Sequence, residues 1–207
     1  MSHESRAVAA PRQPNVILLN GCSGAGKSSI GLALQAALSP PHVLTGVDDF
    51  VWRLMPPQWL GSPEGVQFRP MPDGSVPLHR GPGALAMQKA FHRSVAAMAD
   101  CGLHVIVDDV VLDSEALSDW MVALTDADVF FVGVHCDFEE LRRREAARPD
   151  RAVGHMQTHF AAVHAHGEYD LEIDTTTWST PRCAGAIVAA LREARAPSAF
   201  ERLRLRR

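Results

Sequence analysis

Gly21-Cys22-Ser23-Gly24-Ala25-Gly26-Lys27-Ser28 fits G-x-x-x-x-G-K-[ST] at every fixed position, and Ser29 follows directly. Glycines let such a turn curl so that successive backbone N–H groups point inward at phosphate oxygens. The motif lies between an apolar run, Val16–Asn20, and a helical stretch, Lys27–Leu38. A helix N-terminus at that point adds positive partial charge. Lys27 is then placed to reach the β- and γ-phosphates, and the Ser28 hydroxyl to ligate Mg²⁺. The expected ligands of residues 21–29 are ATP and Mg²⁺.

Two pairs of carboxylates extend this chemistry. Val105-Ile106-Val107 ends in Asp108-Asp109, an apolar strand that delivers an acid beside the phosphate loop. One of the two acids can hold the metal or its water with Ser28, and Asp108 is the first choice. Leu44-Thr45-Gly46-Val47 ends in Asp48-Asp49. Ligands of open parallel sheets bind outside the carboxyl ends of the strands, which puts this second pair near the γ-phosphate. A carboxylate there can orient an acceptor hydroxyl and take its proton. Asp48 is the expected base, with Asp49 the fallback or a helix cap. Asp49 and Asp109 are expected beside Asp48 on the acceptor side.

Downstream, Arg144 and Arg148 stand four apart, so one helical face presents both. Over a transferring phosphoryl group, their guanidinium groups would offset the charge on its oxygens. Pro149 breaks the helix directly afterwards, as a short lid requires. A solvated helix of mixed charge is the competing account. Of the ten histidines, His155 and His159 are four apart, but no H-E-x-x-H or third carboxylate at metal spacing accompanies them.

These side chains need a scaffold. Five apolar or β-branched runs read as strands: Val16–Leu19, His42–Val47, His104–Val107, Val129–Val134 and Leu171–Ile173. Helical stretches lie between them at Lys27–Leu38, Gly83–Asp100, Ser114–Leu124, Asp137–Ala147, Arg151–His166 and Pro181–Arg195. The alternation predicts an α/β fold with a covered parallel sheet. Gly61–Pro82 is too rich in glycine and proline for regular structure and is expected to be a mobile flap near the substrate. The expected organisation is a disordered segment over 1–14, one domain over 15–195 with an arginine lid near 142–153, and a frayed basic tail over 196–207.

Composition narrows the class. The chain has 207 residues, 46% hydrophobic and 21% charged, as in ordinary globular domains. A net charge of −4 supplies no global field for nucleic acid or a membrane surface. No run approaches the length of a membrane span. Cys22, Cys101, Cys136 and Cys183 are widely spaced and read as reduced thiols of a cytoplasmic protein. Neither a nucleic-acid nor a membrane partner is expected; a homo-oligomer is left open.

The motifs stand in a telling order: Gly21–Ser28, Gly46-Val47-Asp48, Val105–Asp109, Val132–Cys136, Arg144–Arg151 and Glu168-Tyr-Asp-Leu-Glu-Ile-Asp174-Thr-Thr176. Together, from about Asn15 to about Leu191, they resemble the chloramphenicol 3-O-phosphotransferase family. The resemblance implies a P-loop kinase-like three-layer sandwich whose five-stranded parallel sheet has the order 2-3-1-4-5. It implies an ATP-dependent enzyme that phosphorylates the hydroxyl of a small molecule, a chloramphenicol-like antibiotic. The family's catalytic acid falls on Asp48 and its lid arginines on Arg144 and Arg148. The Asp174-Thr-Thr176 turn corresponds to the part that lies against the adenine, and Thr176 is assigned to it. Trp52-Arg53 and the Pro56–Trp59 run depart from the family pattern in the region that shapes the acceptor pocket, and Arg53 suggests an anionic or strongly polar acceptor. The alternatives are a kinase of another hydroxylated metabolite (sugar acid, nucleoside or polyol) and a regulatory ATP-binding module without transfer. Acceptor-dependent ADP formation separates the two enzyme readings from the module.

Overall fold

Val16–Asn20 is buried at every position, so this strand must be covered on both faces. The computed structural model, which describes residues 12–147 and 154–206, supplies both covers. Along the chain run β1 (Val16–Asn20), α1 (Lys27–Ala37), β2 (His42–Gly46), α2 (Val47–Leu54), β3 (Val66–Phe68) and β4 (Leu78–Arg80). Then come α3 (Pro82–Asp100), β5 (His104–Asp109), α4 (Ser114–Ala123), β6 (Val129–His135), α5 (Phe138–Ala146) and α6 (His155–Phe160). The chain closes with β7 (Leu171–Asp174), α7 (Thr180–Arg192) and α8 (Ala199–Leu205). The large sheet has five strands in the order β2-β5-β1-β6-β7, all pairs parallel. Numbered among themselves these strands run 2-3-1-4-5, the order implied by the family resemblance.

Side-chain alternation splits the core into two layers. Ile17, Leu19, Ile106 and Val132 pack on one face with Ile30, Leu34 and Ile187 of α1 and α7. Val16, Leu18, Val105 and Phe131 pack on the other with Phe91, Trp120 and Phe200 of α3, α4 and α8. The register pairs Leu19 with Asp108, Asn20 with Asp109, and Gly46 with Asp108. The carboxyl ends of β1, β5 and β2 therefore finish level, and the phosphate loop, the paired acids and the start of α2 share one edge. Among the described residues, no helix is long and apolar enough to cross a membrane.

Three expectations are corrected. Gly61–Pro82 is not irregular throughout: β3 and β4 pair antiparallel within it, with Val66 opposite Arg80 and Phe68 opposite Leu78. The expected helix Arg151–His166 is limited, among described residues, to α6, which starts after Gly154 at a left-handed φ of 92°. The C-terminal segment is not a frayed tail. Ser198 caps α8 with a capping box closed by Glu201, and Ala199, Phe200 and Leu203 are buried. Its arginines are used internally, Arg202 on Glu168 and the Tyr169 carbonyl, Arg204 on the carbonyls of Met121 and Leu124. The amino-terminal boundary also moves. Arg12 is docked by ion pairs to Asp128 and Asp170, so order begins before residue 15.

The docking of α8 has a measurable consequence. Phe200 is 1% exposed and meets the Phe131 ring edge to face at 5.2 Å. Phe200→Ala is expected to cost roughly 3–5 kcal/mol by leaving a cavity against the sheet. Chemical denaturation should show a lower midpoint at unchanged slope; an unchanged midpoint would mean that α8 contributes nothing to the core.

Candidate active site

The phosphate loop is shaped by close approach and by left-handed glycines. A Cβ on Gly21 would lie 2.3 Å from the Val134 carbonyl of β6, while Gly24 and Gly26 take φ values of 85° and 92°. Ala25 N–H turns back to the Cys22 carbonyl at 3.1 Å. The N–H groups of Gly24, Gly26, Lys27 and Ser28 have no protein acceptor among the described residues, the state that a phosphate group completes. Lys27 is buried and its ammonium donates to the carbonyls of Gly21 (2.9 Å) and Cys22 (3.0 Å), 3.4 Å from Asp108. The Cys22 thiol, pushed up to about 11 by burial, stays protonated under the loop.

Alternation along β5 separates the two acids at its end. Asp108 points to the α1 side and accepts from the Ser28 hydroxyl at 2.5 Å. A hydroxyl and a carboxylate in contact on one side of the phosphate loop are hard oxygen donors suited to Mg²⁺. Asp109 points to the opposite face. It is 1% exposed, accepts from the Trp120 indole (2.6 Å) and the Val110 N–H (2.8 Å), and burial pushes its carboxyl up. Asp109 borders the cleft all the same, with each of its oxygens already accepting one hydrogen bond from the core behind the site.

Asp48 and Asp49 lie in the first turn of α2, exposed and lining the cleft. Neither caps the helix. Trp52, one turn on, donates its indole N–H to Asp48 at 3.3 Å. Arg53 is exposed and is not among the residues that line the cleft. The cationic side chain on that wall is Arg80 of β4, which donates to Gln88 (2.6 Å) and Asp113 (2.8 Å).

Arg144 does not line the cleft. Its guanidinium donates to the Thr175 carbonyl (2.7 Å), the Gly24 carbonyl (3.3 Å) and Glu140 (2.7 Å), which fastens the turn after β7 to the outside of the phosphate loop. Arg148 and Arg151 lie outside the described residues. Thr176 accepts from the Asp137 N–H at 2.7 Å, whereas Thr175 donates to the Ala25 carbonyl at 2.8 Å. The threonine that touches the loop is therefore Thr175. Of the expected nucleotide residues, Ser23, Gly24, Gly26, Lys27, Ser28 and Ser29 line the cleft, while Gly21, Cys22 and Ala25 form its support.

The cavity measures about 690 Å³. Its far wall is the β3–β4 hairpin, part of the Gly61–Pro82 segment expected near the substrate, though not as paired strands. Phe68 and Trp52 lie nearly parallel there, 5° between planes and 6.2 Å between centroids. The hairpin is held from above. Val76 N–H donates to the Gly154 carbonyl and His155 meets the Val76 carbonyl, both at 3.1 Å. Glu145 of α5 in turn accepts from the Gly154 and Met156 N–H groups, at 2.8 and 2.9 Å.

A family profile described as chloramphenicol phosphotransferase-like protein matches residues 14–192. The chain belongs to this family. A candidate O-phosphotransferase of Mycobacterium tuberculosis (strain ATCC 25618 / H37Rv) is 34% identical over 214 residues, covering 100% of this chain and 95% of that protein. Among solved structures, the Mycobacterium tuberculosis APS kinase CysC in complex with AMPPNP and APS has a TM-score of 0.63 at 18% identity, over 89% of this chain and 100% of that one. A gluconokinase from Sinorhizobium meliloti 1021 has a TM-score of 0.59 at 21% identity, over 93% and 94%. Both likenesses are of fold. As a chloramphenicol phosphotransferase-like protein, the chain is an ATP-dependent P-loop phosphotransferase that acts on a hydroxyl of a small molecule.

Proposed function

We propose that the protein transfers the γ-phosphoryl group of Mg·ATP to the hydroxyl of a small, ring-bearing alcohol of the chloramphenicol type. The observation that carries this is a single cleft lined by the Lys27–Ser28–Asp108 cluster, by Asp48, and by the paired Trp52 and Phe68 rings. Trp52 and Phe68 keep 46% and 41% exposure. Large apolar surface left open inside a cleft favours a flat ligand face.

In this proposal the loop N–H groups and Lys27 hold the phosphates. Ser28 and Asp108 would hold Mg²⁺, which when bound neutralises charge on the phosphate oxygens. Asp48 orients the acceptor hydroxyl and takes its proton as the new O–P bond forms and the bond to the departing ADP oxygen breaks. Trp52 keeps the Asp48 carboxylate aimed. Arg144 steadies the nucleotide side from the rim of the loop, and the family pattern assigns Arg148 to the same phosphates.

Release of ADP in the presence of Mg²⁺ tests this reading. Chloramphenicol or a related aromatic alcohol is expected to raise the rate at least about tenfold over the acceptor-free rate, more than gluconate, nucleosides or simple polyols do. Preference for a ring-free polyol would replace the acceptor assignment, and no acceptor-dependent ADP with any of them would leave a nucleotide-binding module.

A further inference from the structure

The wall opposite Asp48 holds a chain of oriented polar groups that neither the phosphate loop nor the base requires. It begins at Asp113, whose Oδ1 accepts from the Ala116 N–H at 2.7 Å and caps α4. Its Oδ2 accepts from Arg80 Nη2 at 2.8 Å, and Arg80 Nη1 donates to Gln88 Oε1 at 2.6 Å. Guanidinium nitrogens only donate. The contact therefore fixes the amide of Gln88 with its oxygen on Arg80 and its nitrogen on the other side. Gln88 is 8% exposed and lines the cleft. Its Nε2 donates to no protein group among the described residues and is not sealed from solvent. A side chain so buried, with one end fixed and a two-proton donor left over, is prepared for a ligand oxygen.

We propose that Gln88 is a specificity-determining residue that donates to an uncharged carbonyl oxygen of the acceptor, away from the hydroxyl that is phosphorylated. This deepens the proposed function and rests on it only for the fate of that hydroxyl. An uncharged oxygen is favoured over a carboxylate for two reasons. The charge of Arg80 is already met by Asp113, so a neutral N–H faces the ligand. Asp48, Asp49 and Asp108 line the same cleft, and a carboxylated acceptor would meet like charge.

Two probes isolate the contact. N-(2-hydroxyethyl)benzamide carries a ring, an amide carbonyl and a primary hydroxyl; 4-phenylbutan-1-ol has the same length with methylenes in place of the amide. Ligand-detected NMR titration gives the ratio of their affinities for wild type, Gln88→Glu and Gln88→Met. Gln88→Glu keeps a partner for Arg80 but replaces the N–H donor with a carboxylate. Gln88→Met removes the polar end. In both variants the ratio is expected to move about tenfold against the amide with ATP affinity unchanged, and because a general loss of fold would weaken both probes alike, the ratio reads the contact itself. A ratio within about twofold of wild type in both variants overturns the proposal, as does failure of the wild type to bind the amide probe. Loss of the amide preference without ADP formation from any acceptor would uphold Gln88 as a binding determinant and remove phosphotransfer instead.

Discussion

Asp48→Asn is expected to lower kcat by roughly 10²–10⁴ while leaving ATP affinity within about twofold, the range expected when a positioned general base is lost. The substitution keeps the size and planarity of the side chain, so the cleft is not opened. It removes the negative charge and the ability to take a proton. In a loose phosphoryl transfer the proton leaves late, and part of the loss comes from poorer positioning of the hydroxyl. The two contributions separate experimentally. Trp52→Phe deletes the indole N–H that reaches Asp48 at 3.3 Å and leaves the charge in place. It should give a smaller fall, carried partly in the acceptor KM because the same ring forms the aromatic wall. Steady-state kinetics with ATP and acceptor varied independently, alongside ATP calorimetry, reads both. Near-normal turnover of Asp48→Asn would remove Asp48 as the base and direct attention to Asp49, which lines the same cleft one residue on.

The parts of this site legible in sequence are those set by local periodicity. The phosphate loop stands between a run buried on both faces and a helix, and each of these is encoded within a few residues of the motif. The two acids of β5 illustrate where the limit falls. Neighbouring residues on a strand point to opposite faces, so only one of Asp108 and Asp109 can meet Ser28. The expected strand stopped at Val107, and β5 runs on through Asp109. Once both acids belong to the strand, Asp108 shares the face of Ile106, and Asp109 that of Val107 and Val105. Helical spacing alone does not decide Arg53: it stands one turn from Asp49, which lines the cleft, just as Trp52 stands one turn from Asp48.

The acceptor wall was legible as a segment near the substrate but not as a paired hairpin, for a different reason. Strands of three residues, such as β3 and β4, carry no measurable alternation, and their fixed position comes in part from Gly154 and His155, both distant in sequence. Arg80 and Gln88 become neighbours only after that hairpin docks. The last helix is a case where a signal existed. Ser198-Ala-Phe-Glu201 is a capping box in plain sequence, and the surrounding arginines obscured it by suggesting a solvated end.

Gly21→Ala should weaken ATP binding by about two orders of magnitude, the scale at which displacing a binding group by an ångström is felt. The added Cβ would sit 2.3 Å from the Val134 oxygen and 3.1 Å from its Cβ. The oxygen is backbone, and Val134 is held by pairing with Ile173 of β7 on its other side. β6 cannot yield without loosening the sheet, so the loop must shift, and with it the carbonyls on which the Lys27 ammonium rests. Gly185→Ala is the matched control. It lies inside α7, its Cβ meets nothing within 4 Å, and its φ is ordinary for a helix. Removing a glycine from a helix interior should stabilise the protein by roughly 0.5–1 kcal/mol and leave ATP binding unchanged. Calorimetry and thermal unfolding on both variants distinguish a loop held in register by β6 from a generally fragile fold. Unaltered ATP affinity in Gly21→Ala would show that the loop holds phosphate without that contact, and the packing of Gly21 on β6 would lose its place in nucleotide recognition.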